Sequence, residues 1–474
     1  MSRPYALLKT QLDTINFDTA RRITPRLLLP FLDRIQHSSI GRRLARGMFW
    51  SVAGALSSRV VGLVASIIVA RILGRRVFGE LGVVQSTINM YTTFAQFGLG
   101  MTVTKYVAEF RKTDPERAGR TIAMSAILAV ASGCTVGLVM VATSAWAARV
   151  LAAPQLQVVI AISAAALVLI TTNEVQNGVL NGLEVFKRRS TVGFVAAIAS
   201  FPITVAGAFF FGLIGAVYGL IASQTVVLVL SQYAIRKEMS AAGLSIRWRE
   251  ARKEAAVLMR FSLPMLLVGA VYMPSTWIAN MILVNTAGGY AEMGVFSAAD
   301  RWRFAILFLP GLLGGVTLPL LSSLQGKADS GKYQSVLWAN IKFSVLASLA
   351  VAAPIALFAP WIMNSYGPGF REGTWVLITL CVTAVGFAAY NIVNQSLLSR
   401  GHVMTLFYIN IGWAATLLTT EWLFLRRGAK GLALAYLSAE AWRVTAAMIC
   451  ATRARSQALS ASQSEPTHGT VVVE

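Results

Sequence analysis

Residues 121–145 read TIAMSAILAVASGCTVGLVMVATSA, a stretch without one charged side chain. About 20 apolar residues in a helix cross the hydrocarbon core of a bilayer, so this run alone is long enough. Comparable runs lie on both sides of it: Val52 to Ala70, Leu156 to Thr172, Val192 to Phe211, Leu213 to Leu230, Val336 to Ala359, Thr374 to Val393 and Met404 to Leu425. Composition agrees. Of 474 residues, 56% are hydrophobic and 13% charged, with a mean hydropathy of +0.63, whereas soluble domains carry roughly 25% charged residues. Length alone suggests about three soluble domains; the runs reduce these to one membrane-embedded unit. The expected fold is all-α and polytopic, with about twelve transmembrane helices. Strands of a barrel alternate over about ten residues and do not make such runs.

The chain divides into candidate spans at about 48–70, 81–104, 121–146, 156–181, 191–211, 213–235, 261–286, 291–321, 336–359, 373–397, 404–425 and 431–451. The expected organisation is a cytoplasmic segment 1–47, a first six-helix lobe 48–235, a linker 236–260, a second lobe 261–451 and a tail 452–474. No window reads as a cleavable signal peptide. Leu27 to Ile35 is a short amphipathic stretch suited to the membrane surface.

Charge sets the orientation. On this map 29 of the 42 Lys and Arg fall on one side, including nine in the N-terminal segment and seven from Arg236 to Arg260. Eight fall on the other: Arg71, Arg75, Arg76, Arg149, Arg371, Arg426, Arg427 and Lys430. The positive-inside rule then places both termini in the cytoplasm. Topology and anionic lipid head groups account for the net charge of +22. No nucleic-acid-binding module accompanies it. Cys134, Cys381 and Cys450 all fall within spans and read as packing residues. His37, His402 and His468 are scattered, so neither set suggests a metal centre or a cofactor.

The chain also repeats. Phe78-Gly79-Glu80-Leu81-Gly82-Val83-Val84 recurs as Tyr290-Ala291-Glu292-Met293-Gly294-Val295-Phe296, shifted by 212. Gly212 to Tyr218 has an echo at Gly428 to Leu434, shifted by 216, and Val179 to Gly182 a weak one at Leu397 to Arg400. Two pseudo-symmetric six-helix lobes are expected. With an even number of spans in each, the repeats are parallel.

Charges inside a bilayer cost at least ~2.5–3.5 kcal/mol and usually face a cavity or a partner. Five basic residues fall inside spans: Arg59, Arg301, Arg303, Lys342 and Arg443. Lys342 can snorkel. Arg443 has Glu440, and Arg303 has Asp300, three residues earlier on the same helix face. Arg59 and Arg301 have no local acid. By the repeat, Arg301 corresponds to Asn89, which shares a helix face with Gln85 and Gln96. Unmatched guanidinium groups beside amide donors suit a phosphate or diphosphate. The alternative is pairing with an acid on another helix, such as Glu174 or Glu421. Asn173, Glu174, Gln176, Asn177 and Asn181 crowd the fourth span and serve either an entrance or helix–helix hydrogen bonds. Gly215 to Gly219 and Gly311 to Gly315 allow close packing, while Pro264, Pro274, Pro310 and Pro319 can bend helices. No Walker loop, zinc-binding His-Glu-x-x-His motif or large extracytoplasmic loop is present, which argues against an enzyme or ATP-driven pump.

Ser58-Arg59-Val60-Val61-Gly62-Leu63, Ala70-Arg71-Ile72-Leu73-Gly74 and Phe78-Gly79 resemble the opening of polysaccharide flippases. So do Phe97-Gly98-Leu99-Gly100, Lys105-Tyr106-Val107-Ala108-Glu109 and Leu180-Asn181-Gly182-Leu183-Glu184-Val185-Phe186. The family is the polysaccharide transporter (Wzx-type O-antigen and exopolysaccharide flippase) branch of the MOP superfamily, which includes MATE exporters and the lipid II flippase. The resemblance covers about 45–240 clearly and 260–450 diffusely. It implies two lobes around a central cavity and transport of undecaprenyl-diphosphate-linked oligosaccharide by alternating access. It also implies membrane lipids and polysaccharide polymerase or other assembly proteins as partners. Ser58 to Gly62 is similar to the Ser-Arg-Val-Leu-Gly of the lipid II flippase, but Ala65 stands where that protein has a second arginine, which argues against lipid II. The resemblance carries over Arg59; with the polar residues read within the spans, the expected cavity set is Arg59 and Arg301 on the diphosphate, Gln85, Asn89 and Asn280 on sugar hydroxyls, and Arg303 beside them. The competing reading is a MATE-like ion-coupled drug exporter, whose cavity should hold unpaired acids. A membrane glycosyltransferase or polymerase should show a paired-acid site.

Overall fold

A computed structural model describes residues 39–308, 330–399 and 403–464. The described chain is helical, without strands. Five helices form the first lobe: α1 (Ser39–Gln96), α2 (Leu99–Thr113), α3 (Pro115–Val150), α4 (Leu156–Gly182) and α5 (Phe186–Ala241). A 3-10 turn, Ala251–Glu254, leads to α6 (Ala255–Val284), α7 (Gly289–Ile306), α8 (Ser330–Leu357), α9 (Ala359–Ser365), α10 (Thr374–Ser399), α11 (Val403–Leu423) and α12 (Ala429–Ser464). Seven segments among the described residues are long and apolar enough to cross a membrane. Two of them are double: α1 breaks at Gly74 (φ 74°, ψ 170°) and α5 at Gly212 (φ 59°, ψ −133°). With both breaks counted, the helical limbs follow the expected order of spans. Leu27 to Ile35, Pro310, Pro319, Gly311 to Gly315, His37, His402 and His468 lie outside the described residues.

The breaks have local causes. Gly212 occupies backbone space that a side chain excludes. Gly428, 216 positions on, repeats it almost to the degree (φ 56°, ψ −135°) between α11 and α12. The sequence echo at these positions is therefore a repeated turn. At the other membrane face, Asp114 accepts a hydrogen bond from the Arg117 N–H at 2.9 Å, and Pro115 opens α3 in the first-turn position that needs no amide donor.

Some expected boundaries move. The second span was expected at 81–104, but positive φ at Phe97 (27°) and Gly98 (77°) ends α1 at Gln96 and starts α2. Hydropathy alone runs through such a corner. The connection between lobes is also shorter than 236–260, because α5 continues to Ala241 and α6 begins at Ala255. Residues between them fold onto α3. Arg117 meets Glu254 at 3.3 Å, Arg120 meets Glu250 and Glu254 at 3.6 Å, and Arg247 meets Glu116 at 2.6 Å. The Lys253 ammonium donates to Glu250 and holds that carboxyl below its usual range. We call this face the linker end and the opposite face the Gly74 end.

Within the first lobe α1 packs on α5, and α3 and α5 pack on α4; within the second, α8 packs on α10 and α11 on α12. The lobes meet where α1 lies against α6 and α7. Close approach there depends on glycine. A Cβ on Gly79 would fall on the Tyr290 carbonyl, and one on Gly294 on the Arg75 carbonyl. The Gly215 to Gly219 pair serves packing of the two limbs of α5 in the same way, against Gly207 and Thr204.

Candidate functional site: a polar chamber between the lobes

The second limb of α1 carries Gln85, Ser86 and Asn89 on one face, as a spacing of three to four residues requires. Opposite them stand Thr276 and Asn280 of α6 and Ser297, Asp300, Arg301 and Arg303 of α7. Together with Tyr272, Phe296, Phe304 and Tyr436 they line a chamber of about 190 Å³. Five of the six residues singled out in the sequence therefore meet in one place: Gln85, Asn89, Asn280, Arg301 and Arg303. Arg59 does not line it. Its exposed side chain lies with the guanidinium carbon 5.7 Å from the centre of the Phe308 ring.

The arginines of α7 are two residues apart and point to different surroundings. Arg303 is buried; its Nε donates to Asp300 at 2.5 Å, and its guanidinium lies 5.2 Å from the Tyr436 ring centre. It is thus largely neutralised by its own helix. Arg301 has no such acid bond among the described residues. One Nη donates to Gln85 Oε1 across the lobe interface at 2.8 Å, the guanidinium lies 5.5 Å from the Phe78 ring centre, and its shielded Nε has no hydrogen-bond partner. Arg301 also borders a second cavity, of about 240 Å³, inside the first lobe. That cavity is mostly apolar (Val61, Gly62, Val69, Leu81, Phe201, Leu220), with hydroxyls of Ser200, Thr204 and Ser223. Arg301 is therefore the cation shared by a polar chamber and an apolar one.

Among the described residues, no acid on another helix pairs with Arg59 or Arg301. Glu174 lies near Arg189 of α5, and Glu421 accepts no hydrogen bond through its carboxylate. The polar crowd on α4 mostly bonds to α5: Asn173 donates to Gln224 Oε1 at 2.8 Å, Gln176 to Gln232 at 2.9 Å, and Asn181 accepts from Arg189 at 3.0 Å. In the second lobe Arg443 and Glu440 pair at 2.5 Å, both buried, as their spacing implied. Arg443 lies within 5.5 Å of the ring centres of Tyr272, Phe387, Tyr390 and Trp413.

From the chamber to the Gly74 end, polar contacts close the interface. Asn280 donates to Ser86 at 2.8 Å, Trp277 Nε1 to Thr87 at 3.0 Å, Tyr290 to the Leu151 carbonyl at 2.7 Å and Asn285 to the Val150 carbonyl at 2.9 Å. Arg75 completes the closure, with Glu292 at 2.5 Å and Glu372 at 2.9 Å. Glu292 also accepts from the Ala429 N–H at 2.9 Å, capping α12. Sequence reasoning missed this latch. Its one visible trace is that Glu292 is the repeat-mate of Glu80, a sign that the position matters in both halves.

Residues 44–325 match the family model described as polysaccharide biosynthesis protein. The EPS I polysaccharide export inner membrane protein EpsE of Ralstonia solanacearum is 25% identical over 182 residues, 38% of this chain and 42% of that protein. The chain thus matches less than half the length of this relative. An inward-facing MATE multidrug-resistance transporter of the MOP superfamily superposes with a TM-score of 0.68 at 19% identity, over 86% of this chain and 96% of that one. The lipid II flippase MurJ, in an inward closed conformation, gives 0.67 at 12% identity, over 85% and 87%. At these identities the two likenesses establish a shared fold. The family match spans more than half of the sequence, so the chain belongs to the polysaccharide biosynthesis protein family and carries the fold of the MOP-superfamily transporters.

Proposed function

We propose that the protein is a flippase of the bacterial inner membrane that moves undecaprenyl-diphosphate-linked oligosaccharide between leaflets by alternating access. The linker end, where basic residues concentrate, is the cytoplasmic side, with both termini there. The interface is bonded shut toward the Gly74 end, so this arrangement accepts substrate from the cytoplasm. Arg301 carries the reading: a cation in mid-span, with a shielded Nε that has no partner, set between a chamber of amides and hydroxyls and an apolar one. The two cavities together fall in the size range of about 300–1,000 Å³ usual for ligand sites.

In this scheme Arg301 holds the diphosphate while Gln85, Asn89 and Asn280 contact sugar hydroxyls. Arg59, on the first limb of α1, receives the diphosphate on its way in. Arg303 is a positioning residue, bound to Asp300. Asp300, the one carboxylate among the described residues that line the chamber, is already paired, so the described lining offers no free acid for a cationic drug, and the exporter reading loses its main requirement. The test is translocation of a diphosphate-linked oligosaccharide in proteoliposomes. Wild type moves it and Arg301→Ala, inserted normally, does not; an unimpaired Arg301→Ala variant rules out this role.

A further inference from the structure

We propose that Glu421 is a proton-binding site, and that its loading keeps the interlobe latch at the Gly74 end shut. This goes beyond the flippase reading and does not depend on what the chamber carries. Glu421 lies in the last turn of α11, on the face that also buries Leu406, Trp413 and Leu417 against neighbouring helices. It is 2% exposed, and neither carboxylate oxygen has a hydrogen-bond partner. No basic group comes within salt-bridge distance of it among the described residues. An unpaired carboxylate in such a place is so poorly solvated that the group takes up a proton instead. The carbonyl end of α11 disfavours negative charge there as well. A metal cation would need several oxygen ligands around it, and no cluster of three acid, His or Cys groups occurs among the described residues. The ligand that fits is a proton.

The charged surroundings leave this assignment standing. From α12, Tyr436 is within electrostatic reach of Glu421, and it also feels Tyr272 of α6 and the Asp300–Arg303 pair of α7. Glu440 and Arg443 of α12 satisfy each other. From α10, Tyr390 reaches Asn410 of α11 at 3.5 Å. Arg426, Arg427 and Lys430 are exposed at the hairpin tip, with Arg427 over the Phe424 ring.

A short mechanical path joins the site to the latch. The Phe424 N–H donates to the Glu421 carbonyl at 3.1 Å, and the turn Leu425–Arg427 leads to Ala429. The Ala429 N–H binds Glu292, which holds Arg75 of the other lobe. Ionising Glu421 requires water at its carboxylate, so the last turn of α11 must part from the core. That displaces the turn whose far end caps on Glu292. The position 216 residues earlier in the repeat is Val205, so the fold does not itself require an acid here. Proton loading would supply the coupling that an alternating-access carrier needs.

The test uses the full chain in nanodiscs, without substrate. Spin labels are placed at Arg149→Cys and Trp361→Cys, one on each lobe at the Gly74 end, after replacing Cys134, Cys381 and Cys450. Wild type is expected to shift toward longer inter-label distances between pH 5.5 and pH 8.5, with no response to sodium at fixed pH. Glu421→Gln should keep the short distance at both pH values, and Glu421→Asp should retain a pH response. A wild type indifferent to pH overturns the proposal, as does a Glu421→Gln variant that responds like wild type. Should Glu421→Gln fail to fold, Glu421→Met is the substitute, held to the same outcomes.

Discussion

Gly294→Ala is the substitution with the most to say about how the lobes work. The added methyl would fall on the Arg75 carbonyl and also crowd the Gly79 nitrogen, both main-chain atoms of the facing helix. Neither can rotate away as a side chain would, so α1 and α7 must separate by roughly 1 Å to reach normal contact. Three interlobe hydrogen bonds close by, Trp277 to Thr87, Asn280 to Ser86 and Arg301 to Gln85, span 2.8–3.0 Å. A widening of that size takes them past useful length. At about 0.5–1.5 kcal/mol each, their loss disfavours the closed Gly74 end by about 2–4 kcal/mol, or about 30- to 1,000-fold in population. The same spin-label pair on the two lobes reads this directly. Gly294→Ala should move the distance distribution outward and slow transport. Gly193→Ala, where a methyl meets nothing nearer than the Ser58 hydroxyl at 4.0 Å, is the control and should change neither. A Gly294→Ala protein with the wild-type distance and rate would refute the closure described above.

Other outcomes follow from the same contacts. Arg443→Met leaves Glu440 buried without its partner, which should cost about 3–5 kcal/mol and lower the apparent melting temperature in detergent by about 6–10 °C at ~2 °C per kcal/mol. Adding Glu440→Gln should return much of that loss, and a double variant no better than the single one would contradict the pairing. Gly428→Ala forces a side chain into a glycine-only region and should destabilise by about 1–3 kcal/mol, with Gly212→Ala losing a similar amount in thermal unfolding. Arg75→Gln should weaken closure, because it removes both the part-buried pair with Glu292 and the largely exposed pair with Glu372, the latter contributing little. Its effect should shrink as salt is raised in the spin-label measurement.

The fold was legible where its cause is local. Uncharged runs such as 121–145 give the spans, and the Gly212 and Gly428 turns are visible as a repeat before any coordinate is known. Pairs three residues apart on one helix, Asp300 with Arg303 and Glu440 with Arg443, were also readable, since helix geometry alone brings them together. The corner at Phe97 was not, because hydropathy stays high through it while the backbone turns. Of the site, the amides and Arg301 could be proposed from their polarity within spans. Arg59 shared that signal, yet it stands apart from the chamber beside Phe308; which way a guanidinium points depends on neighbouring helices. The latch joining Arg75, Glu292 and Glu372 is a contact over more than 200 residues of sequence, which no local pattern encodes. Glu421 was visible as an acid in a span. Its lack of a partner is a property of the packed lobe.

The most direct test of the central claim is the leaflet on which lipid-linked glycan accumulates in cells lacking this protein. The account predicts accumulation on the cytoplasmic leaflet, relieved by the wild-type chain and not by a membrane-inserted Arg301→Ala variant. Normal surface glycan in the deletion strain, with no second transporter covering the loss, would contradict it.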